Sequence, residues 1–158
     1  MILCHRRAQG RRGAAAVEFA FLLTFMLILL LGTWEVGRLL EVNQLLYNAA
    51  REGCRQAVTG MDNNSAVQQV VTNYLKNAGL PTQNVVVTVQ DLTSPGTDAS
   101  NATWMDQMQV TVTIPCKDVA WSTLYLVTNP NSKMTVQATW NCMKDQDYPT
   151  SITAPAGS

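Results

Sequence analysis

Histidine, the residue most often used for acid–base chemistry and metal binding, is nearly absent from this chain of 158 residues. The one histidine, His5, lies in the basic N-terminal segment. Its position excludes Ser-His-Asp and Cys-His arrangements from the rest of the chain. No H-E-x-x-H, C-x-x-C or phosphate-loop pattern occurs either. We therefore expect a protein that is not an enzyme and that uses no cofactor or metal.

Charged residues are also scarce, since Asp, Glu, Lys and Arg together make up 14% of the chain. Four of the eleven basic residues, and none of the eleven acidic ones, fall within the first thirteen positions. Without that segment the chain would carry seven basic and eleven acidic groups, a net charge of −4. No basic patch remains, so nucleic acid is excluded as an expected partner.

A long apolar run follows the basic segment. The sixteen residues from Phe19 to Trp34 carry no charge, and Glu18 is the only ionisable residue from Ala14 to Trp34. A single membrane-spanning helix needs roughly 20 apolar residues. Basic residues in front of such a helix keep its N-terminus in the cytoplasm. We expect residues 14–34 to cross a membrane once, with a domain at residues 35–147 outside the cytoplasm.

The junction between the basic segment and the run resembles the class III signal of type IV pilin-like proteins. In that family a prepilin peptidase cuts after a glycine, and a glutamate lies five residues beyond the cut. Gly13 is that glycine here, Ala14 would be the new N-terminus, and Glu18 followed by Phe19 falls at the expected position. The resemblance implies that residues 1–13 are a leader peptide, that residues 14–34 cross the bacterial inner membrane, and that residues 35–147 form a periplasmic domain.

Two further blocks, Trp34–Arg38 and Asn48–Arg55, resemble TadE-like proteins, the minor pilins of the tight-adherence (Tad/Flp) system. The second block contains Arg51, Glu52 and Gly53. The resemblance covers about residues 11–60, and Cys54 departs from it where alanine is expected. It implies a minor pilin, or pseudopilin, that helps initiate or cap Flp pilus assembly at the base or tip of the pilus and supports adhesion and biofilm formation. The implied partners are the prepilin peptidase, a second, TadF-like minor pilin, the major Flp pilin and the Tad inner-membrane platform proteins.

Glu18 has two interpretations. Cleavage would create a charged amine on Ala14, and this amine could pair with Glu18 of a neighbouring subunit, because neither charge is stable alone in lipid. Alternatively, Glu18 extends to the headgroups at the nearby interface. The whole segment also has alternatives: an ordinary secretory signal peptide, or the anchor of an unprocessed bitopic inner-membrane protein with a periplasmic binding domain.

The remaining pattern predicts an α+β, pilin-like fold. Helical periodicity continues from the membrane segment to about Thr59, where Gly60 would end the helix. A second helix is expected over Ala66–Ala78, after a turn containing Asn63. Alternating apolar residues predict three strands over 85–90, 108–114 and 134–140. A short helix is expected within Val119–Val127, and the tail, residues 148–158, is expected to be mobile.

The aspartates beyond residue 60 mostly fall in predicted turns or at strand ends, where solvated side chains are expected. They are Asp62, Asp91, Asp98, Asp106, Asp118, Asp145 and Asp147. The loop between Asp91 and Asp106 is rich in oxygen ligands, so a calcium site there is the alternative. Its spacing matches no familiar calcium loop.

Three cysteines would face an oxidising compartment, where disulfides persist. Cys116 and Cys142 share the inward parity of the second and third strands, and each lies at the C-terminal end of its strand. A bridge between them requires those strands to run parallel, with the first strand between them, because an antiparallel pair would separate the two thiols. We expect this Cys116–Cys142 disulfide. A bridge involving Cys54 and three free thiols are the alternatives.

Overall fold

The computed structural model describes residues 9–120, 129 and 131–144, with side chains described from residue 13 onward. Helix α1, Gln9–Ala57, is 49 residues long and has no break. It ends within two residues of the predicted position. Gly60 adopts φ +63°, a left-handed conformation that glycine reaches without steric cost, and its N–H donates to the Ala57 carbonyl at 3.2 Å.

Helix α2, Asn64–Asn77, confirms the second predicted helix. Asn63 caps its N-terminus, because the Asn63 side-chain oxygen accepts the Ala66 N–H at 2.8 Å. Gly79, at φ +78°, turns the chain away after the last helical residues. The buried side of α2 consists of Val67, Val71 and Leu75, which recur at the three- and four-residue spacing of one helical face.

The three predicted strands are present as β1 (Val86–Asp91), β2 (Gln107–Pro115) and β3 (Lys133–Asn141). They form one sheet in the order β1-β2-β3, and both neighbouring pairs are antiparallel. The predicted parallel arrangement of the second and third strands, with the first between them, is therefore wrong. A direct hairpin satisfies the backbone hydrogen bonds of both strands over nine paired residues, from Gln107↔Asn141 to Pro115↔Lys133.

The core lies between one face of this sheet and the two helices. Strand β2 is central and buries every second side chain, namely Met108, Val110, Val112 and Ile114. Helix α1 packs against them with a buried face. Its fully buried side chains include Val42, Leu46, Ala50 and Cys54. Full burial of a large aliphatic side chain is worth about 1.5–3 kcal/mol. The upper half of α1 is thus held by the sheet, and the α+β fold class is confirmed.

A short helix, α3 (Cys116–Val119), follows β2 directly. The predicted helix within Val119–Val127 falls almost entirely outside the described residues, and so does the predicted mobile tail. Within the described chain, the segment Gly13–Ala57 is the one helix long and apolar enough to cross a membrane. None of its most apolar stretch is buried against the rest of the chain.

Candidate processing and assembly site

Gly13 and Ala14 lie in the exposed N-terminal part of α1. A Cβ atom added to Gly13 would meet no heavy atom within 4 Å, so the sheet and α2 do not shield this peptide bond. The bond is helical, and a peptidase that binds extended chain would have to unwind the first turns. Glycine makes this easier, because it weakens a helix by about 1 kcal/mol relative to alanine. Cleavage between Gly13 and Ala14 stays a prediction.

Glu18 lies four residues after Ala14, one turn along the same face of α1. Its side chain is exposed. Two ion pairs occur among the described side chains, Arg38–Glu41 at 2.9 Å and Arg55–Glu52 at 2.5 Å, and Glu18 belongs to neither.

Above the membrane segment, α1 exposes apolar side chains in line with Glu18. Val36 lies 18 residues after Glu18, which is five complete turns of about 3.6 residues. Leu40 and Tyr47 lie about six and eight turns after it. Leu40 is 58% exposed and Tyr47 is 48% exposed. Glu18, Val36, Leu40 and Tyr47 thus form one line of exposed side chains, here termed the α1 stripe, which runs along the edge of the buried face of the helix.

Gly53 lies where α1 approaches both α2 and β2. A Cβ atom there would be 2.5 Å from Val71 Cγ2 and 3.3 Å from Val110 Cγ1. No ordinary side chain fits without separating these elements. The structure therefore gives a packing reason for the glycine in the second sequence block.

The charged residues of the same block point outward. Arg55 donates two hydrogen bonds to Glu52, from Nε to Oε2 at 3.0 Å and from NH2 to Oε1 at 2.5 Å. These bonds and the positive charge of Arg55 lower the pKa of Glu52. The Arg51 guanidinium lies 6.0 Å from the centre of the Tyr47 ring, the outer limit of a cation–π contact. Arg51 therefore extends the α1 stripe with a positive charge.

The cysteine prediction is wrong, because Cys54, Cys116 and Cys142 are all buried free thiols. Cys142 donates its backbone N–H to the Asp106 carbonyl beside the start of β2, whereas Cys116 follows the end of β2. Nine residues of extended strand separate them, about 30 Å. The inward parity inferred for both residues is correct, but the antiparallel hairpin places them at opposite ends of the sheet.

Cys54 is the most buried of the three cysteines, with no exposed surface. Its Sγ donates to the Ala138 carbonyl at 3.0 Å. Burial raises the pKa of Cys54 to about 11. The thiolate, which is the reactive form, is therefore suppressed at neutral pH. Cys54 acts as a small core side chain that joins α1 to β3.

The aspartates of the loop between β1 and β2 organise the backbone. Asp98 accepts the Ser100 and Asn64 N–H groups, and Asp106 accepts the Thr103 N–H at 2.7 Å. These bonds lower the pKa of both carboxyls. Asn64 returns a bond by accepting the Ala99 N–H at 3.0 Å. The loop is thereby fastened to the N-terminus of α2.

Asp91 contradicts the expectation of a solvated turn residue, since it is only 1% exposed. Its Oδ1 accepts the Thr93 and Ser94 N–H groups at 2.8 and 3.0 Å. The signal for its burial was present in the sequence, because Asp91 shares the inward parity of Val87 and Val89. Across the described residues, no group of three or more His, Cys, Asp or Glu side chains could hold a metal ion. The alternative of a calcium site therefore gains no support.

Residues 13–55 match the family model of the TadE-like proteins. This segment is TadE-like. The matched region holds the junction at Gly13 and Ala14, Glu18 and the block that ends at Arg55, so the predicted resemblance is confirmed there. No significant match is found among curated proteins or among solved structures.

Proposed function

We propose that this protein is a non-enzymatic minor pilin, or pseudopilin, that helps initiate or cap Tad (Flp) pilus assembly at the inner membrane and so supports adhesion and biofilm formation. A prepilin peptidase removes residues 1–13. The N-terminus lies in the cytoplasm before processing, and the α+β head lies in the periplasm. Its partners are a second, TadF-like minor pilin, the major Flp pilin and the Tad platform proteins.

The observation that carries this proposal is the composition of the TadE-like segment. It combines an exposed Gly13–Ala14 bond, Glu18 one turn later, and an apolar helix that the head leaves uncovered. The α1 stripe extends the exposed surface from the membrane into the periplasm. A helix of a second subunit along this stripe would cover Leu40 and Tyr47 and would bring its own charged N-terminus near Glu18. Opposite charges stabilise each other most where lipid excludes water.

The first test is the mass of the mature protein. Membrane-extracted protein from cells with the prepilin peptidase should begin at Ala14, and protein from cells without it should retain Met1. The control is Glu41→Gln, which alters an exposed glutamate of α1 outside the apolar run and should be processed normally. An intact Met1 end in peptidase-positive cells would favour the unprocessed bitopic alternative. A start beyond Thr33 would favour a secretory signal peptide.

The second test concerns assembly. Glu18→Gln keeps the size of the side chain and removes its charge, so processing should persist while pilus number falls, because the Ala14 amine loses its partner. Leu40→Glu should also reduce assembly, since it places a charge in the α1 stripe without touching the core. Asn48→Glu, an exposed change about 80° around the same helix, is the matched control. Normal pilus number with both Glu18→Gln and Leu40→Glu would contradict the proposed interface.

A further inference from the structure

Strand β3 forms one edge of the sheet. At one end of β3 the Cys142 N–H donates to the Asp106 carbonyl at 2.7 Å, and at the other the Ser132 carbonyl accepts the Cys116 N–H at 2.9 Å. Bonding residues alternate along an antiparallel ladder, so the even-numbered residues of β3 face β2. The odd-numbered residues direct their N–H and C=O groups outward, where no other residue of the described chain bonds them. We term this outward row the β3 edge; its members are Lys133, Thr135, Gln137, Thr139 and Asn141.

The β3 edge has few of the features that keep an edge strand from pairing. Native edge strands are usually short, bulged, covered or charged. Strand β3 pairs with β2 over nine residues without a bulge, and Lys133 at its start is its one charged residue. On the opposite edge, the Gln68 side chain already donates to the Val87 carbonyl of β1 at 3.1 Å. Strand β3 is therefore the side of the sheet that is open to a further strand.

The side chains beside the β3 edge define what a further strand would carry. On the side of the sheet that faces α1, Met134, Val136 and Trp140 are only partly buried. On the other side, every odd-numbered residue of β3 is polar and exposed. Successive side chains of a strand point to opposite faces of the sheet. A fitting strand therefore alternates apolar residues, which cover these three side chains, with polar ones.

A groove at the C-terminal end of β3 adds a requirement for charge. It has a volume of about 520 Å³ and is lined by Trp140 of β3 and by Arg55 near the end of α1. Lys144 also lines it, and among the described lining residues both ionisable groups are cationic. Lys144 Nζ donates one hydrogen bond, to the Ser100 carbonyl at 3.2 Å, which leaves donors available. A strand that reaches this groove is best matched by a carboxylate there.

A second copy of this chain does not fit the β3 edge. Strand β3 and helix α1 run in the same direction, because Cys54 Sγ bonds to the Ala138 carbonyl and the Val58 carbonyl, one turn further on, accepts the Met143 N–H. Antiparallel pairing of two β3 strands would therefore reverse one α1 relative to the other. The two apolar segments could then not cross one membrane in the same direction. Addition of β1 from another copy would bring in α2, which packs against β1.

We propose that the β3 edge binds an extended segment of a different polypeptide as an antiparallel fourth strand. The backbone of this segment bonds to the outward N–H and C=O groups of Thr135, Gln137 and Thr139, as in other cases of strand addition. Its side chains alternate between apolar and polar, and it places a carboxylate in the groove beside Arg55 and Lys144. The inference assumes that all copies cross the membrane in one direction, and it does not depend on the proposed role in pilus assembly.

Hydrogen exchange of the full-length protein in detergent, followed by NMR, tests the proposal with a synthetic peptide. In this peptide valine alternates with threonine, and glutamates occupy the N-terminal end, which antiparallel pairing brings to the groove. The amides of Thr135, Gln137 and Thr139 should exchange fast in the free protein, whereas those of Val136 and Ala138, bonded to β2, should exchange slowly. The peptide should slow the first three amides several-fold.

Two altered peptides identify the contacts. A peptide methylated at the amide nitrogens that face β3 should give no protection, because those nitrogens can no longer donate hydrogen bonds. A peptide with lysines in place of the glutamates should bind several-fold more weakly, because it brings positive charge to Arg55 and Lys144. Equal binding of the acidic and basic peptides, or protection by the methylated one, would overturn the proposal.

Variants of the protein test the same contacts from the other side. Gln137→Pro removes an outward N–H, leaves the ladder to β2 complete and is a change that edge strands tolerate. It should abolish protection of Thr135 and Thr139, whereas Gln137→Ala should not. Lys144→Gln should weaken binding of the acidic peptide, and Lys76→Gln, an exposed change on α2, should not. The slow amides that face β2 report that each variant stays folded. No protection of the β3 edge by the acidic peptide, or full protection in Gln137→Pro, would refute strand addition.

Discussion

Gly53 offers a direct test of how α1 is joined to the head. The change Gly53→Ala adds one methyl group at the point where α1, α2 and β2 meet. The new Cβ atom would lie 2.5 Å from Val71 Cγ2 and 3.3 Å from Val110 Cγ1. Both valines are fully buried, so neither can turn into solvent to make room. The helix must therefore move away from its neighbours, and the contacts around Gly53 must loosen.

Two opposing terms set the size of the effect. Alanine is favoured over glycine inside a helix by about 1 kcal/mol. Overfilling a close-packed core costs about 1–3 kcal/mol, and a contact of 2.5 Å with a branched, buried side chain belongs at the upper end of that range. The net loss in the free energy of unfolding should be about 2 kcal/mol. Gly37→Ala is the matched control, because a Cβ atom at Gly37 meets nothing within 4 Å. It should leave stability unchanged or raise it by up to about 1 kcal/mol.

Urea unfolding of the detergent-solubilised protein, followed by circular dichroism, would measure both changes. The double variant Gly53→Ala/Val71→Ala sharpens the test, because Val71→Ala removes the methyl group that the new Cβ atom would strike. The double variant should lose less stability than the two single variants together, by about 1–2 kcal/mol. Strictly additive losses, or a Gly53→Ala protein as stable as the parent, would refute the close approach at Gly53.

Three further predictions use the same unfolding assay or thiol chemistry. The Cys54 thiol holds its proton more tightly when folded, with its pKa raised from 9.0 to about 11, so its contribution to stability is complete below pH 9 and is lost as the pH rises towards 11. Cys54→Ala should lose less stability over that interval than the parent; an equal loss in both would contradict the buried thiol. Asn63→Ala should cost about 1 kcal/mol through the lost α2 cap, whereas Asn73→Ala, exposed within the same helix, should cost less. Peptide mapping without reductant should find no link between Cys116 and Cys142, and both thiols should react with a maleimide only after unfolding.

Local features of the fold were predictable because each depends on neighbours in sequence. Helix α2 was predicted over Ala66–Ala78, and it begins two residues earlier because Asn63 caps it. The three strands follow from alternating apolar residues. The alternation of apolar residues also predicted correctly which strand side chains face the core, and it predicted correctly that Cys116 and Cys142 are buried. The same alternation predicts that Asp91 faces the core, whereas the rule that acidic side chains remain solvated predicts that Asp91 is exposed. In the structure two backbone N–H groups replace water at Asp91 Oδ1, whereas the buried Oδ2 has no hydrogen-bond partner among the described residues.

Features that depend on which segments meet were not predictable in the same way. Parity fixes the face on which a cysteine lies but not the neighbour of its strand, so the sheet order was wrong. The sequence marked Gly53 as part of a block that resembles TadE-like proteins. The need for glycine there is seen only in the structure, where Val71 and Val110 pack against it. Met61 and Met143 likewise line one groove, although they lie far apart in the chain. Their shared surface depends on the pairing of β2 with β3 and on the end of α1.

Because α1 is a single unbroken helix, a change in its tilt at one end moves its other end. One continuous helix links the apolar segment to the head, so the chain has no hinge between Trp34 and Ala57 that could absorb a change in tilt. From Trp34 to Ala57 the helix axis measures about 35 Å, and a tilt of about 10° at the membrane would displace the Ala57 end by about 6 Å. Membrane thickness or a neighbouring helix could therefore position the head without touching it. A force applied to the head would likewise be transmitted through α1 to the apolar segment.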